Sequence, residues 1–410
     1  MLDTYRAVFR APGTAAFTIS GFVMGMPQAM YPIALVLIIS ARDGRYGFAG
    51  VTSACFIAGG VAGLPLLSRL VDRLGQHRLL IPATSVHVAA VLATCALVEL
   101  DVPDWAVLPP VFVFGFTYLS VGSLVRARWS WVLAGRPELT TAYSLASILD
   151  EAIFVSGPLI ATVIATTATP VLILVLAAVL AGSGALTLSF QRGTEPPVHP
   201  GGDTPHRSAL REPGVALVTL VTVFTGAVFA TAEVTMIAFC GQHGHRGLSG
   251  LVVALFAGGS GFAGFLYGAR QHGGDALSRF RLQAIVFGVL PVLFLIPTDV
   301  AVLAVVAFVV GLGTAPALIT TFSLVERLVP PAALTEGLTW VQVGLSVGYG
   351  AGAAVVGGIA DAHGARTAFV ATIAAGLGVL LTAVLGSRRL RALDLSSHTS
   401  VGPSEHAALP

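Results

Sequence analysis

Twelve apolar runs leave this chain few ways to fold. They lie near residues 15–40, 47–67, 79–98, 106–125, 141–166, 170–190, 214–240, 247–268, 281–297, 299–322, 335–360 and 366–386. Each holds roughly 17–26 residues, the length a helix needs to cross a hydrocarbon core of about 30 Å at 1.5 Å per residue. Spans nine and ten are separated only by Pro297, Thr298 and Asp299. In lipid a backbone must satisfy its own hydrogen bonds, so runs of this length read as helices. Hydrophobic residues make up 55% of the chain and charged residues 10%. That balance excludes a soluble protein, and no hydrophilic stretch is long enough for a separate domain. The expected fold class is an all-α integral membrane bundle of twelve transmembrane helices.

The basic residues orient it. All 22 are arginine, and with the N-terminus cytoplasmic 18 fall in inside segments. Only Arg42, Arg45, Arg246 and Arg366 fall outside, which supports that orientation and an even number of spans. Both termini are then expected in the cytoplasm. The net charge of +2 is a topology signal and implies no nucleic-acid partner. The first run is too long for a signal-peptide core, so it reads as a retained helix. Absence of lysine beside abundant Ala, Gly, Val, Leu and Arg points to the cytoplasmic membrane of a high-GC bacterium. Cys55, Cys95 and Cys240 lie in or at the end of apolar runs without metal-type spacing, and packing is their expected role.

Gln191–Pro213 is the longest hydrophilic internal segment and carries five prolines that discourage a helix. It divides the chain into a six-helix half, 1–190, a cytoplasmic linker, 191–213, and a second six-helix half, 214–386. A disordered cytoplasmic tail, 387–410, is expected to follow. Sliding the second half back by 195 residues pairs Leu139-Thr140 with Leu334-Thr335 and Gly157 with Gly352, so spans five and eleven are counterparts. In that register Asp150 and Glu151 face Leu345 and Ser346. The acidic pair is therefore a specialisation of the first half.

Charges at membrane depth are expensive and read as functional by default. Asp150 lies about ten residues into span five, about 15 Å deep. Adjacent residues point about 100° apart on a helix, so only one of Asp150 and Glu151 can face a cavity squarely. Arg126 and Arg128, at the end of span four, are the expected partners. The working assignment is that Asp150 exchanges a proton and Glu151 pairs with arginine, with the reverse left open. The plainer alternative is a static buried ion pair. Glu233, about two-thirds along span seven, is a further intramembrane acid suited to a cationic group or to coupling. Glu336 is expected to cap its helix or pair with Arg327, and His87 to be a hydrogen-bonded packing residue.

Between spans two and three stands Ser68-Arg69-Leu70-Val71-Asp72-Arg73-Leu74-Gly75-Gln76-His77-Arg78. A carboxylate at a helix end beside a guanidinium can form a latch that opens when two halves rock, although basic loops also simply orient helices. The segment resembles the signature loop of the major facilitator superfamily. Asp72, Arg73, Gly75 and Arg78 match, while Ser68 stands where the pattern has Gly. Gly268-Ala269-Arg270 in the second half is a degraded echo. Gly157-Pro158 resembles the end of the helix-five signature of the antiporter branch, though such a pair also kinks or packs a helix on its own account.

The resemblance implies two pseudo-symmetric six-helix halves around a central cavity, alternating access, and substrate binding between the halves. On that footing Gln28, Tyr31, Trp340, Gln342 and Tyr349 are cavity candidates, with packing or an interfacial belt as the plainer role. No phosphate-binding loop, metal-ligand cluster or nucleophile elbow is present in the sequence, so no enzyme activity or cofactor is expected. The expected function is a proton-coupled exporter of small amphipathic compounds, acting as a monomer in the lipid bilayer with protons as the coupling ion. A proton-coupled uptake symporter and a non-transporting receptor on the same scaffold are the alternatives.

Overall fold

The computed structural model describes residues 2–43, 46–100, 102–198, 208–245, 248–270 and 275–399, and among these every regular element is a helix. Twelve are long and apolar enough to cross a membrane. Numbered in chain order they are Thr14–Ile39, Val51–Leu74, Gln76–Glu99, Asp104–Val132, Glu138–Ala165, Val171–Phe190, Gly214–Gln242, Ser249–Gly268, Ala276–Leu295, Val300–Leu328, Pro331–Gly357 and Ala365–Ser387. A short helix, Leu2–Val8, precedes them.

Two boundaries matter for function. Span 4 continues to Val132, so Arg126 and Arg128 lie inside its helix and not in the turn that follows. Span 5 begins at Glu138, which places Asp150 twelve residues, about 18 Å, from its start. The last helix runs on to Thr399, beyond the expected start of a disordered tail at 387. Arg45, Arg207, Arg246, linker residues 199–207, the loop 271–274 and the tail 400–410 lie outside the described residues.

Helices in lipid gain little from burying apolar surface against one another, so close backbone approach at small residues holds them together. A Cβ on Gly115 of span 4 would strike the backbone carbonyl of Phe56 in span 2. A Cβ on Gly311 of span 10 would strike that of Phe256 in span 8. Gly157 packs on Ala29 of span 1, and Gly352, its partner in the sequence repeat, packs on Ala227 of span 7. The two halves thus repeat one set of contacts.

Spans 1, 4 and 10 are interrupted. Span 1 breaks at Met26, before Pro27, which has no N–H to continue the ladder. Span 4 leaves the helix over Thr117–Ser120, and span 10 over Leu312–Gly313.

Among the described residues, the apolar cluster that joins the halves lies toward the end where the N-terminal helix lies. There Phe17, Trp129 and Tyr143 share one cluster with Phe280, Phe322 and Leu338. Toward the other end the core divides. Tyr31, Val91, Phe114 and Ile173 cluster within the first half, and Phe239, Phe294, Leu303 and Phe369 within the second.

Candidate functional site

Asp150 and Glu151 point to different neighbours, as their angular separation requires. Arg126 donates from Nη2 to Asp150 Oδ2 at 2.6 Å. The guanidinium is 1% exposed and the carboxylate 38%. Arg126 also lies 3.9 Å from the centre of the Phe322 ring on span 10, a cation–π contact that crosses between the halves. Gly122, one turn earlier, makes room for it, since a Cβ there would stand 2.7 Å from Nη1. The Nε and Nη1 donors are buried without a partner. Asp150 lines a recess of about 30 Å³ with Thr18, Phe22, Gln28, Gly122 and Arg126, room for about two water molecules.

Glu151 turns the other way, to span 8, where Ser260 donates to its Oε1 at 2.5 Å. No cation pairs with it among the described residues. The pairing is therefore the reverse of the working assignment: Asp150 holds the arginine, and Glu151 bridges the halves through a hydroxyl.

Arg128 meets neither acid. It is fully buried and donates to Gln76 Oε1 at 2.7 Å, Gln191 O at 2.8 Å, Thr194 Oγ1 at 2.9 Å and Leu188 O at 3.0 Å. These carbonyls end span 6, where the helix dipole favours a cation. Arg128 thus ties spans 3, 4 and 6 together, and its position 200° around the helix from Arg126 is the reason.

The cavity candidates separate in the same way. Tyr31 is fully buried in the first half and donates to His87 Nε2 at 2.6 Å, because His87 Nδ1 is the donor to Phe114 O at 2.8 Å. It is a packing residue in this state, as expected of His87. Gln28, in the recess, accepts from Tyr118 at 3.1 Å. Trp340 donates to Glu336 at 3.2 Å near the start of span 11, away from mid-depth. Gln342 is half-buried. Tyr349 donates to Glu233 Oε2 at 2.9 Å.

The loop motif does join the halves. Asp72 accepts from the backbone N–H groups of Thr335 at 3.1 Å and Glu336 at 2.9 Å, capping span 11 from span 2. Arg69 donates to Glu336 at 2.7 Å, so Glu336 pairs with Arg69 and not with Arg327. Ser208 of the linker lies between them, accepting from Arg69 and donating to Glu336 at 2.7 Å. Arg73 and Arg78 are exposed. Gly75 adopts φ +89°, and a Cβ there would stand 2.8 Å from Glu195 Oε1, which accepts from the His77 backbone and ring. The sequence identified Asp72 but not Arg69, Ser208 or Glu336 as its company.

Spans 5 and 8 form the second seam. Thr141 donates to Gly268 O at 2.7 Å, and Ser144 to Gly264 O. Tyr5 of the N-terminal helix stacks on Phe265 at 5.2 Å and donates to its carbonyl at 3.0 Å. Ser130 on span 4 donates to Glu326 on span 10 at 3.1 Å. The ties named above between the spans of the two halves, from Asp72–Thr335 and Arg69–Glu336 to Glu151–Ser260, lie between the N-terminal end and the Glu151–Ser260 level. These ties close that end. No three His, Cys, Asp or Glu side chains among the described residues group as a metal site requires.

Residues 14–282 match the sequence model described as Major Facilitator Superfamily. No curated protein matches by sequence. In structure the chain is similar to a bacterial homologue of the iron transporter ferroportin in an outward-facing state, with TM-score 0.73, 14% identity and coverage of 92% of this chain and 99% of that one. It is also similar to the Escherichia coli fucose:proton symporter, with TM-score 0.70, 12% identity and coverage of 91% and 98%. A human organic anion transporter gives TM-score 0.68, 15% identity and coverage of 90% and 98%. At these identities the likeness establishes the fold alone.

Proposed function

The chain belongs to the Major Facilitator Superfamily and is a membrane transporter of small molecules, and from that premise we propose that it is a proton-coupled exporter of small amphipathic compounds. The observation that carries this reading is the Arg126–Asp150 pair, with its arginine buried, beside Glu151 at mid-depth, where Glu151 also ties the halves through Ser260. With both termini in the cytoplasm of a bacterium, the closed end is the cytoplasmic one.

The chemistry follows from charge. An uncompensated charge at membrane depth costs several kcal/mol, on the order of 3 for a carboxylate at the helix centre. Asp150 has its counter-charge in Arg126 and keeps the pair neutral. Glu151 has only a hydroxyl, so it is the group that takes a proton from the outside. Rocking the halves apart at the other end breaks the Ser260 contact and exposes Glu151 to the cytoplasm, where the proton leaves and substrate enters. Spans 5 and 8 are thereby coupled to the proton.

Export is favoured over uptake because the walls offer few polar side chains to a hydrophilic nutrient. The similar proteins are a homologue of an iron transporter, a fucose symporter and an organic anion transporter, so their cargoes do not choose one for this chain. The test is proton efflux from acidified inverted vesicles, followed with a pH-sensitive dye while a panel of drugs, dyes and metabolites is added. Substrate-triggered alkalinisation in the wild type that is lost in Glu151→Gln supports the reading. Alkalinisation that persists in both Glu151→Gln and Asp150→Asn refutes the coupling role of this pair.

A further inference from the structure

Away from their ends, the described spans carry three carboxylates, Asp150, Glu151 and Glu233, against the single guanidinium of Arg126 facing them. Arg126 neutralises Asp150. Glu151 accepts from Ser260. Glu233 is left, partly exposed, with no cation beside it among the described residues.

Its direction can be read from its own helix. Gly226, Phe229 and Glu233 stand at i, i+3 and i+7 and so share one stripe of span 7. Gly226 meets the backbone of Leu345 and Tyr349 on span 11. Phe229 packs edge-on against Phe256 of span 8 and Phe287 of span 9, with centroids 6.5 and 6.0 Å away. The stripe therefore faces the gap between spans 8 and 11. These are the helices of the second half that also meet spans 5 and 2 of the first. Glu233 lies nineteen residues, about 28 Å, beyond the start of span 7, farther along than Glu151, which lies thirteen residues from the start of span 5.

The carboxylate is oriented. Tyr349 donates to Oε2, and this 41% exposed ring stands next to it, while Oε1 has no donor among the described residues. A carboxylate with one oxygen free of protein donors and an aromatic neighbour suits an organic cation, which gains both the ion pair and the ring face.

We propose that Glu233 and Tyr349 form a subsite for the positively charged group of the cargo, which makes the cargo class lipophilic organic cations. This assignment rests on the transporter reading above but not on proton coupling. The acids then have distinct roles, Glu151 carrying the proton and Glu233 holding the substrate.

The experiment is equilibrium binding to purified full-length protein in detergent at fixed pH, with tetraphenylphosphonium as probe. Tetraphenylborate, of the same shape and opposite sign, is the control. The expected result is saturable phosphonium binding and at least about ten-fold weaker borate binding. Glu233→Gln should weaken the phosphonium by about ten-fold or more, equivalent to about 1.4 kcal/mol. Glu233→Asp should retain most of the affinity, which guards against a folding artefact, and Tyr349→Phe should cost less than Glu233→Gln. Borate binding as tight as phosphonium, an unchanged affinity in folded Glu233→Gln, or no phosphonium binding by folded wild type up to about 1 mM would each overturn the assignment. No proton gradient is present, so loss of coupling in the vesicle assay and loss of binding here are separate outcomes.

Discussion

Removing the Asp72 carboxylate should open the closed end. The side chain accepts two backbone N–H groups at the start of span 11 from span 2. Both bonds exist only while the halves are together. Deleting a capping side chain costs about 1 kcal/mol, and the charge at a helix N-terminus adds about 1 kcal/mol when partly buried. Asp72→Ala therefore costs the closed state about 2 kcal/mol, and at 1.4 kcal/mol per decade the open-to-closed ratio rises about thirty-fold. Asp72→Asn keeps an acceptor that caps well and loses only the charge, so it should shift the ratio about five-fold. The assay is double electron–electron resonance between spin labels on Ala134→Cys and Arg270→Cys, both exposed at that end on opposite halves, after Cys55, Cys95 and Cys240 are replaced. A long-distance population should grow in the order wild type, Asn, Ala. An unchanged ratio in Asp72→Ala, or Asn shifting it as far as Ala, refutes the reasoning.

Three further outcomes follow from particular contacts. Tyr5→Phe keeps the stack on Phe265 but loses the hydroxyl bond across the seam, worth about 1 kcal/mol, so the same labels should report an open fraction raised about five-fold; no change would show that the N-terminal helix does not hold the seam. Gly115→Ala forces a methyl group against the Phe56 backbone and should cost about 1–3 kcal/mol, seen as a lowered Tm, whereas Gly250→Ala, with open space around it, should melt like wild type. Asp299 caps the start of span 10, and the Val302 backbone N–H holds its carboxyl below the ordinary value. A lowered value in the folded state means its contribution is present at neutral pH and is lost as pH falls through that lowered value. Asp299→Asn should accordingly flatten the acid side of the Tm–pH profile, and an unaltered profile would exclude this role.

Much of the architecture was legible because it follows from local chemistry. The lengths of the apolar runs require twelve helices in lipid, and the 195-residue register between Gly157 and Gly352 correctly paired spans 5 and 11. Both glycines prove to be close-approach points against spans 1 and 7. The intramembrane acids were equally visible, since a carboxylate at that depth stands out against its apolar neighbours. Run boundaries were less secure. Arg126 and Arg128 look like a terminating basic turn in the sequence, yet each finds enough acceptors or a counter-charge to stay within the helix.

What the sequence could not decide is which side chain meets which. Two adjacent acids and two nearby arginines allow several pairings, and periodicity says only that neighbours diverge. Asp150 takes Arg126 because span 4 packs beside span 5. Arg128 is drawn to the carbonyls ending span 6, and Glu151 reaches a serine on the opposite half. Glu336 likewise lay nine residues from Arg327 but pairs with Arg69, 267 positions away, because the latch forms only when spans 2 and 11 meet. Helix formation depends on neighbours a few residues apart, so it is written into the local sequence. Ion pairing and the closure of one end depend on how distant helices pack, and only the tertiary structure decides that.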